Sequence, residues 1–255
     1  MSCAHTQYSL AHIEAVLSRV RLIPESNFTR YGGGWGDRIS LALIDAVYSI
    51  SAKYTATSGL GVAGRLKNLK DLWESAPGSP LYSLRELCTH DESEIRSVMG
   101  KGKVAPGKQR SRYKSIAVLD AATAFTDLGI DSADDLRSWI GGVGDLPRDK
   151  SAFAQARKAY TQVYGLGVVT FEYWLMLLGI PGVKADRRIV SFVQKVIAEG
   201  AGSNVVPPSI SAKEARSLLL KAYELWKQER QQRNPDETVD LRAFDHAVWL
   251  FERSA

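Results

Sequence analysis

Apolar residues recur at helical spacing along most of this chain, and this periodicity limits the fold more than any other feature. Leu10, Ile13 and Leu17 are three or four residues apart, which places them on one face of an α-helix. The segment 39–54, ISLALIDAVYSISAKY, is apolar on most faces, so we expect a buried central helix there. The chain shows no alternating pattern typical of paired strands and no internal repeat. The sequence therefore predicts an all-α fold.

Capping signals and breaks rich in glycine or proline divide the rest of the chain. Ser211 and Glu214 have the spacing of a capping box, which predicts a helix from residue 212 to about residue 229. The clearest linker is 200–211, GAGSNVVPPSIS, and 141–150 is expected to be a loop. Short helices are expected within 83–100 and at 132–140. Longer ones are expected at 59–73, 114–126, 151–164, 170–178, 187–199 and 241–254.

The composition indicates an ordinary soluble protein. Apolar residues make up 45% of the 255 residues and charged residues 24%, as in a globular domain. The longest apolar run, near 174–178, is much shorter than the roughly 20 residues that a membrane-spanning helix needs. The start, MSCAHTQYSL, lacks a signal-peptide pattern, and Cys3 and Cys88 have neither disulfide-framework nor metal-site spacing. We therefore expect a cytoplasmic monomer, associated with the nucleoid if the source is bacterial.

Positive charge is concentrated in one segment. The net charge is +5, and the stretch from Arg96 to Lys114 contains seven basic residues and no acidic one. A glycine-containing basic loop suits contact with phosphate groups, which makes Arg110, Arg112 and Lys114 candidate DNA contacts. A solvated loop that aids solubility explains the same segment equally well.

Residues 162–177, QVYGLGVVTFEYWLML, have the pattern of two helices joined by a short glycine turn. The two glycines permit a tight turn, and the first N–H groups of the second helix lack intrahelical partners. Together they can bind a phosphate through backbone N–H groups. The candidate contacts are Gly165, Leu166, Gly167, Val169 and Thr170. The alternative is an ordinary hairpin of two helices with glycine at the turn.

One carboxylate follows this hairpin in a basic stretch of sequence. Asp186 lies 19 residues beyond Gly167, after a Pro-Gly loop and next to Lys184 and Arg187. Aspartate is a favoured N-cap residue, and a helix is expected from Arg187, so capping alone explains its position. The same position would also bring a carboxylate to a sugar whose phosphate is bound at the turn.

The order Gly165-Leu166-Gly167, Thr170, Gly179 and Asp186, followed by Arg187-Arg188-Ile189, resembles the helix-hairpin-helix DNA glycosylase superfamily, whose best-known branches are endonuclease III and adenine glycosylase. The resemblance covers roughly residues 39–195. The hairpin with the following aspartate is its specific part. The similarity of 40–66 and 107–125 to other helices of the family is weaker.

The resemblance implies a two-lobed all-α fold with double-stranded DNA in the cleft between the lobes. The central lobe would be 36–185, with the hairpin at 151–178, and 1–35 with 186–255 would form the second lobe. The modified base would be flipped out of the duplex. Asp186 would be the catalytic carboxylate that stabilises positive charge on the sugar during hydrolysis of the N-glycosidic bond.

Departures from the family pattern refine this expectation. Val169 occupies the position of the lysine with which some members form a Schiff base, so we expect a monofunctional enzyme without lyase activity. Phe171 replaces a small residue, so helix packing must differ there. The iron–sulfur cysteines are missing and the four histidines have no ligand spacing, so no cofactor or side-chain metal site is expected. The family's hairpin can hold a monovalent cation on backbone carbonyls, which leave no mark in a sequence.

Several further residues are candidates for DNA contact. Lys53 occupies the place of a residue that wedges into the duplex, and its alternative is a helix-end lysine. Tyr54 and Trp35 could stack on a base or pack as anchors. Asp45, inside an apolar helix, either pairs with an arginine, which is the preferred interpretation, or lines the base pocket. Lys184 and Arg187 are candidate phosphate contacts. The segment FDHAVW, 244–249, is interpreted as helix packing with a local hydrogen bond rather than as a catalytic element.

Two other functions remain open. A non-catalytic nucleic-acid-binding protein would keep the hairpin and use Asp186 only as a cap. A helical protein-interaction module would use the basic segment to bind an acidic partner. The damaged base, and the choice between DNA and RNA, are not encoded in any motif.

Overall fold

The computed structural model describes residues 9–28, 34–56, 61–75, 79–141, 150–200, 209–237 and 240–254, and these are predominantly helical. The chain divides into two compact units. The central unit draws on Gly33–Pro181, and the terminal unit draws on Met1–Gly32 and Gly182–Ala255. The boundaries predicted from sequence were 35/36 and 185/186. The chain start, most of the predicted loop at 141–150 and most of the linker at 200–211 lie outside the described residues.

The described part of the central unit contains eight α-helices, one 3-10 turn and one short antiparallel ribbon. The helices are α2 (Ile39–Tyr48), α3 (Val62–Glu74), α4 (Leu84–Thr89), α5 (Glu92–Met99), α6 (Lys114–Thr126), α7 (Ala133–Ile140), α8 (Lys150–Gln162) and α9 (Val168–Leu177). The 3-10 turn is Pro80–Tyr82, and the ribbon pairs β1 (Lys103–Val104) with β2 (Arg112–Tyr113).

The core of the central unit forms around α2 and α9. All ten residues of α2 are buried, as its apolar faces predict, and so is α9 from Phe171 onward. The Phe125 and Trp174 rings meet edge to face at 4.7 Å, and Tyr160 packs between Phe171 and Trp174. These aromatic contacts fix the second hairpin helix against α6 and α8.

The prediction that α2 continues to residue 54 was wrong, because the helix ends at Tyr48. Lys114, at the start of α6, donates its Nζ hydrogens to the carbonyl oxygens of Tyr48 at 3.0 Å and Ile50 at 2.6 Å. Ser51 then adopts a positive φ of 49°, which is incompatible with a continuing helix. A partner distant in sequence therefore ends α2.

The expectation that the chain contains no strand pair was also wrong at one place. β1 and β2 are only two residues each, with Lys103 opposite Tyr113 and Val104 opposite Arg112. Segments this short carry no readable alternation. The ribbon folds part of the basic segment into a β-hairpin whose loop runs from 105 to 111.

The two hairpin helices form close to their predicted limits. α8 ends at Gln162 and α9 begins at Val168, against predicted limits of 164 and 170. At the other end of α9, the carbonyl of Leu177 accepts the Trp35 N–H at 2.8 Å, and that of Leu178 accepts the Arg137 guanidinium. These bonds satisfy carbonyls that the end of a helix leaves without partners.

In the terminal unit, the residues that the structure describes pack four helices around a core of their own. They are α1 (Leu10–Val20), α10 (Arg187–Gly200), α11 (Ala212–Arg233) and α12 (Leu241–Ser254), and a 3-10 turn lies at Glu25–Asn27. Phe244 lies in the middle of this core, with its ring 5.2 Å from those of Tyr223 and Trp226. The predicted capping box is present, since Ser211 and Glu214 bond each other's backbone N–H groups.

None of the helices in the described ranges has the length and apolar character required to cross a lipid bilayer.

Candidate functional site

The glycine turn between α8 and α9 is tightly closed and exposes backbone. Gly165 has a φ of 88°, a conformation that side-chain-bearing residues rarely adopt. Thr170 Oγ1 accepts the Gly167 N–H at 3.2 Å and donates to the Gly167 carbonyl at 2.8 Å. The N–H groups of Val168 and Val169 follow in the first helical turn, where no intrahelical acceptor is within reach. Val168 is exposed and Val169 is half-buried, so these two N–H groups are the ones that could bind an anion.

The turn lies directly against the basic ribbon. A side chain placed on Gly165 would come within 2.6 Å of Val104 in β1, so only glycine permits this close approach. The contact brings the basic segment next to the hairpin turn. Its exposed cations are Lys101, Lys103, Lys108 and Arg110.

Three residues of the basic segment were predicted to contact DNA, and two of them have other roles. Arg112 forms an ion pair with Asp120 and is half-buried. Lys114 is only 5% exposed and hydrogen-bonds the carbonyls at the end of α2, so its ammonium group is engaged within the fold and is not placed to contact a phosphate, contrary to its assignment. Burial lowers the pKa of Lys114 to about 8. Arg110 remains exposed and available.

The three residues predicted to line a base pocket form one cluster in the central unit. Asp45 is fully buried in α2, and its Oδ2 accepts hydrogen bonds from Trp35 Nε1 and from the Tyr54 hydroxyl, both at 2.9 Å. Tyr54 is 39% exposed and Trp35 is half-buried, so part of each aromatic surface reaches solvent. Lys53, beside Tyr54, is exposed. The cluster thus holds two aromatic rings on a buried carboxylate.

Asp186 is the N-cap of α10. Its Oδ1 accepts the backbone N–H groups of Arg188 at 2.9 Å and Ile189 at 3.2 Å. Its Oδ2 accepts the indole Nε1–H of Trp249 in α12 at 3.3 Å. The side chain is half-buried, so the carboxylate is held by three donors without being closed off from solvent. The predicted capping role is present, and part of the side chain remains accessible to solvent.

Trp249, which donates to this carboxylate, also contacts two arginine side chains. The guanidinium groups of Arg188 and Arg253 lie 5.3 and 5.4 Å from the centre of its ring, within the range of a cation–π contact. Both arginines are exposed. His246 stacks on the same ring with an interplanar angle of 9°, and burial lowers the pKa of His246. Lys184 is half-buried and Arg187 is exposed.

A second carboxyl group beside Asp186 was missed in the sequence. Asp245 is 6% exposed, and its carboxyl group accepts the backbone N–H of Lys184. Burial, and then the negative charge of Asp186, raise the pKa of Asp245 well above its usual range. The available signal was the position of Asp245 on the apolar face of the last helix, where a carboxylate needs a partner. The interpretation of 244–249 as helix packing with a local hydrogen bond did not single out this carboxyl group.

No group of three or more His, Cys, Asp or Glu side chains in the described parts of the chain is arranged to hold a metal ion. At the hairpin turn, the Gly167 carbonyl already accepts two hydrogen bonds, from Phe171 N–H and from Thr170. The hairpin-bound cation stays a prediction.

The fold and these sites define a helical protein of two units. The central unit carries a glycine turn beside exposed cations, and the terminal unit carries a capping aspartate beside a buried acid. The chain belongs to the family described as a domain of unknown function, DUF8548, whose model matches residues 16–253. No curated protein matches the chain, and no solved structure matches it.

Proposed function

We propose that this protein is a monofunctional DNA glycosylase that hydrolyses the N-glycosidic bond of a modified base flipped out of double-stranded DNA. The observation that carries the proposal is the environment of Asp186, a half-buried carboxylate held rigidly by three hydrogen bonds. Breaking the glycosidic bond develops positive charge on the sugar, and a fixed carboxylate stabilises that charge.

The hydrogen bonds of Asp186 leave capacity for this chemistry. A carboxylate offers about four acceptor positions, and the two N–H groups of α10 and the Trp249 indole occupy three of them. The remaining position, on Oδ2, can accept a hydrogen bond from the attacking water and orient it toward the sugar. Because α10 and α12 fix the carboxylate, little reorganisation is needed when charge develops.

The hairpin turn supplies the second part of the proposed activity. The N–H groups of Val168 and Val169 bind a backbone phosphate of the same DNA, and the exposed cations of the adjoining ribbon add attraction that does not depend on sequence. The contact of Gly165 with Val104 supports this assignment, because it keeps phosphate-binding backbone and basic side chains together.

The cluster of Asp45, Trp35 and Tyr54 is the proposed base pocket. Its two partly exposed aromatic rings offer stacking surfaces for an extruded base, and the buried carboxylate fixes their orientation. In this proposal the central and terminal units correspond to the two lobes of the glycosylase fold.

The absence of lyase chemistry is part of the proposal. Schiff-base formation requires an accessible amine, and Val169 supplies none at the position where related enzymes carry lysine. Lys114 has the lowered pKa that favours a nucleophilic amine, but its Nζ is enclosed by the carbonyls of Tyr48 and Ile50. Base release should therefore leave an abasic site that breaks only on alkali treatment.

The test is base release from a panel of duplexes carrying alkylated, oxidised, deaminated or hypermodified bases. We expect Asp186→Asn to bind the substrate duplex normally and to release the base at least about 100-fold more slowly than wild type. Asp91→Asn is the matched control, because Asp91 also caps a helix, accepting the Ser93 N–H at 2.7 Å. Equal rates for wild type and Asp186→Asn on a cleaved substrate would refute the catalytic role.

A second function is favoured by one observation: Asp186 Oδ1 is already occupied by two backbone N–H groups. A non-catalytic DNA-binding protein would need nothing further from this residue. In that case wild type would leave every duplex of the panel intact, while still binding DNA with an affinity that falls steeply with salt.

A further inference from the structure

We propose that Asp245 is a positioning residue for Asp186, acting through the segment 184–186 and through its helix neighbour Trp249. This inference rests on the proposed function, in which Asp186 is the catalytic carboxylate. Asp245 itself is buried and is not placed in contact with substrate.

The geometry links α12 to both ends of the segment that carries Asp186. Asp245 and Trp249 are four residues apart on α12, and therefore lie on one face of the helix. The carboxyl group of Asp245 accepts the Lys184 N–H, and the Trp249 indole donates to Asp186 Oδ2 at 3.3 Å. The Asp186 N–H also donates to the Lys184 carbonyl at 2.7 Å, which closes the segment into a tight turn.

A protonated Asp245 explains how two acids can lie close together. Burial and the neighbouring charge of Asp186 both raise the pKa of Asp245, and they outweigh the opposing effects of the Lys184 charge and its N–H. Its Oδ1 is buried and has no hydrogen-bond partner among the described residues, so a proton there avoids burying an unpaired charge. The neutral acid anchors the turn without repelling Asp186.

Two charged groups act on the Asp245 carboxyl group, namely Lys184 and Asp186 on the segment before α10. Within α10, Arg188 lies over the Trp249 ring and Lys195 pairs with Glu252 of α12. On α12 the adjacent His246 has a pKa lowered by burial. On the 3-10 turn that packs against α12, Glu25 pairs with Arg230. Asp186 is thus the acid whose charge bears on Asp245.

The first experiment does not depend on enzyme activity. In protein labelled with ¹³C at the aspartate carboxyl carbons, the Asp245 resonance is assigned by its loss in Asp245→Asn. We expect this carboxyl group to titrate well above the usual range of an aspartate, and to titrate at lower pH in Asp186→Asn because one neighbouring charge is removed. A titration of Asp245 within the usual aspartate range, or one unchanged by Asp186→Asn, would overturn the inference.

The second experiment follows the indole N–H of Trp249, assigned with Trp249→Phe, as a reporter of Asp186. Asparagine is neutral and keeps an acceptor for the Lys184 N–H, so Asp245→Asn should leave the indole resonance nearly unchanged. Asp245→Ala removes the anchor and should shift it, with thermal melting used to confirm that the variant is folded. If Asp245→Ala is folded and the resonance does not move, Asp245 does not position Asp186.

Activity then separates this inference from the proposed function. On a substrate that wild type cleaves, Asp245→Ala should release the base about 10-fold to 100-fold more slowly with unchanged duplex affinity. Asp245→Asn should be close to wild type, because its neutral amide keeps an acceptor for the Lys184 N–H. Wild-type-like activity in Asp245→Ala would refute the positioning role.

If wild type cleaves nothing, the glycosylase proposal fails, while the two NMR results still decide whether Asp245 holds Asp186.

Discussion

Lys114 provides a direct test of how burial acts on this fold. Its Nζ is enclosed by the end of α2, and burial lowers its pKa from 10.5 to about 8. Between these pH values the unfolded chain binds more protons than the folded protein, so the free energy of unfolding should rise with pH. The penalty is present below pH 8 and is relieved as the amine loses its proton.

The size of the effect follows from the difference in pKa between the folded and unfolded states. One pKa unit corresponds to about 1.4 kcal/mol, so the complete change would be about 3 kcal/mol. About 2 kcal/mol of this would be gained between about pH 7 and pH 9.5, and partial screening by solvent reduces our expectation to about 1 kcal/mol. The neutral amine keeps two N–H donors, so both carbonyl bonds survive deprotonation.

The measurement is urea unfolding followed by circular dichroism at about pH 7 and about pH 9.5. Burial is the main cause that raises the pKa of Tyr48 to about 12. Ionisation of Tyr48 in the unfolded chain therefore lowers the free energy of unfolding above about pH 10, so the measurement stops below that pH. Lys114→Met keeps the length of the side chain and removes the titrating group. Lys108→Met, at an exposed position, is the control and should retain the wild-type pH dependence.

The result that refutes this reasoning is a gain in stability with pH that is the same in wild type and Lys114→Met. It would mean that the ammonium group is hydrated in the folded protein. Lys114 would then regain its place among the candidate phosphate contacts.

Two further predictions concern the turn and the aromatic cluster. Gly165→Ala should lower the free energy of unfolding by about 1–3 kcal/mol in urea titrations, because the new methyl group meets Val104 and φ is 88°, whereas Gly167→Ala, with φ of −133° and open space around it, should be tolerated. An equal loss in both variants would count against the close approach at Gly165. Trp35→Phe should lower stability by about 1–3 kcal/mol because it removes a donor to the buried carboxylate of Asp45, and Tyr54→Phe should have a smaller effect because Tyr54 is the more exposed residue and water can replace its hydroxyl. Thermal melting of both variants checks this order, and the reverse order would contradict it.

Local features of the sequence were enough to locate most helices. The capping box at Ser211 and Glu214, the limits of α6 and α12, and the glycine turn before α9 are all present where the pattern placed them. Each depends on residues a few positions apart, for which spacing in sequence is spacing in space. The family of the chain has no described function, so the activity suggested by these motifs stays a proposal.

Other assignments failed because their partners are distant in sequence. Lys114 looked like one more member of a basic loop, yet 64 positions separate it from the Ile50 carbonyl that binds it. The same contact ends α2 earlier than its apolar pattern predicted. The β-ribbon at Val104 was missed for a different reason, since its two-residue strands are too short to show an alternating pattern. Periodicity indicates which face of a helix is buried, but it does not name the group that meets that face.

The sequence by itself determined that the chain is helical, that a glycine turn precedes α9 and that Asp186 caps α10, because these follow from backbone geometry and capping. Only the tertiary structure decided the environments of the charged groups. It enclosed Lys114, joined Asp45 to two aromatic donors, and brought Asp245 to Asp186 across 59 positions. The physical reason is that ionisation and hydrogen bonding depend on burial and on neighbours in space, which are fixed when the helices pack.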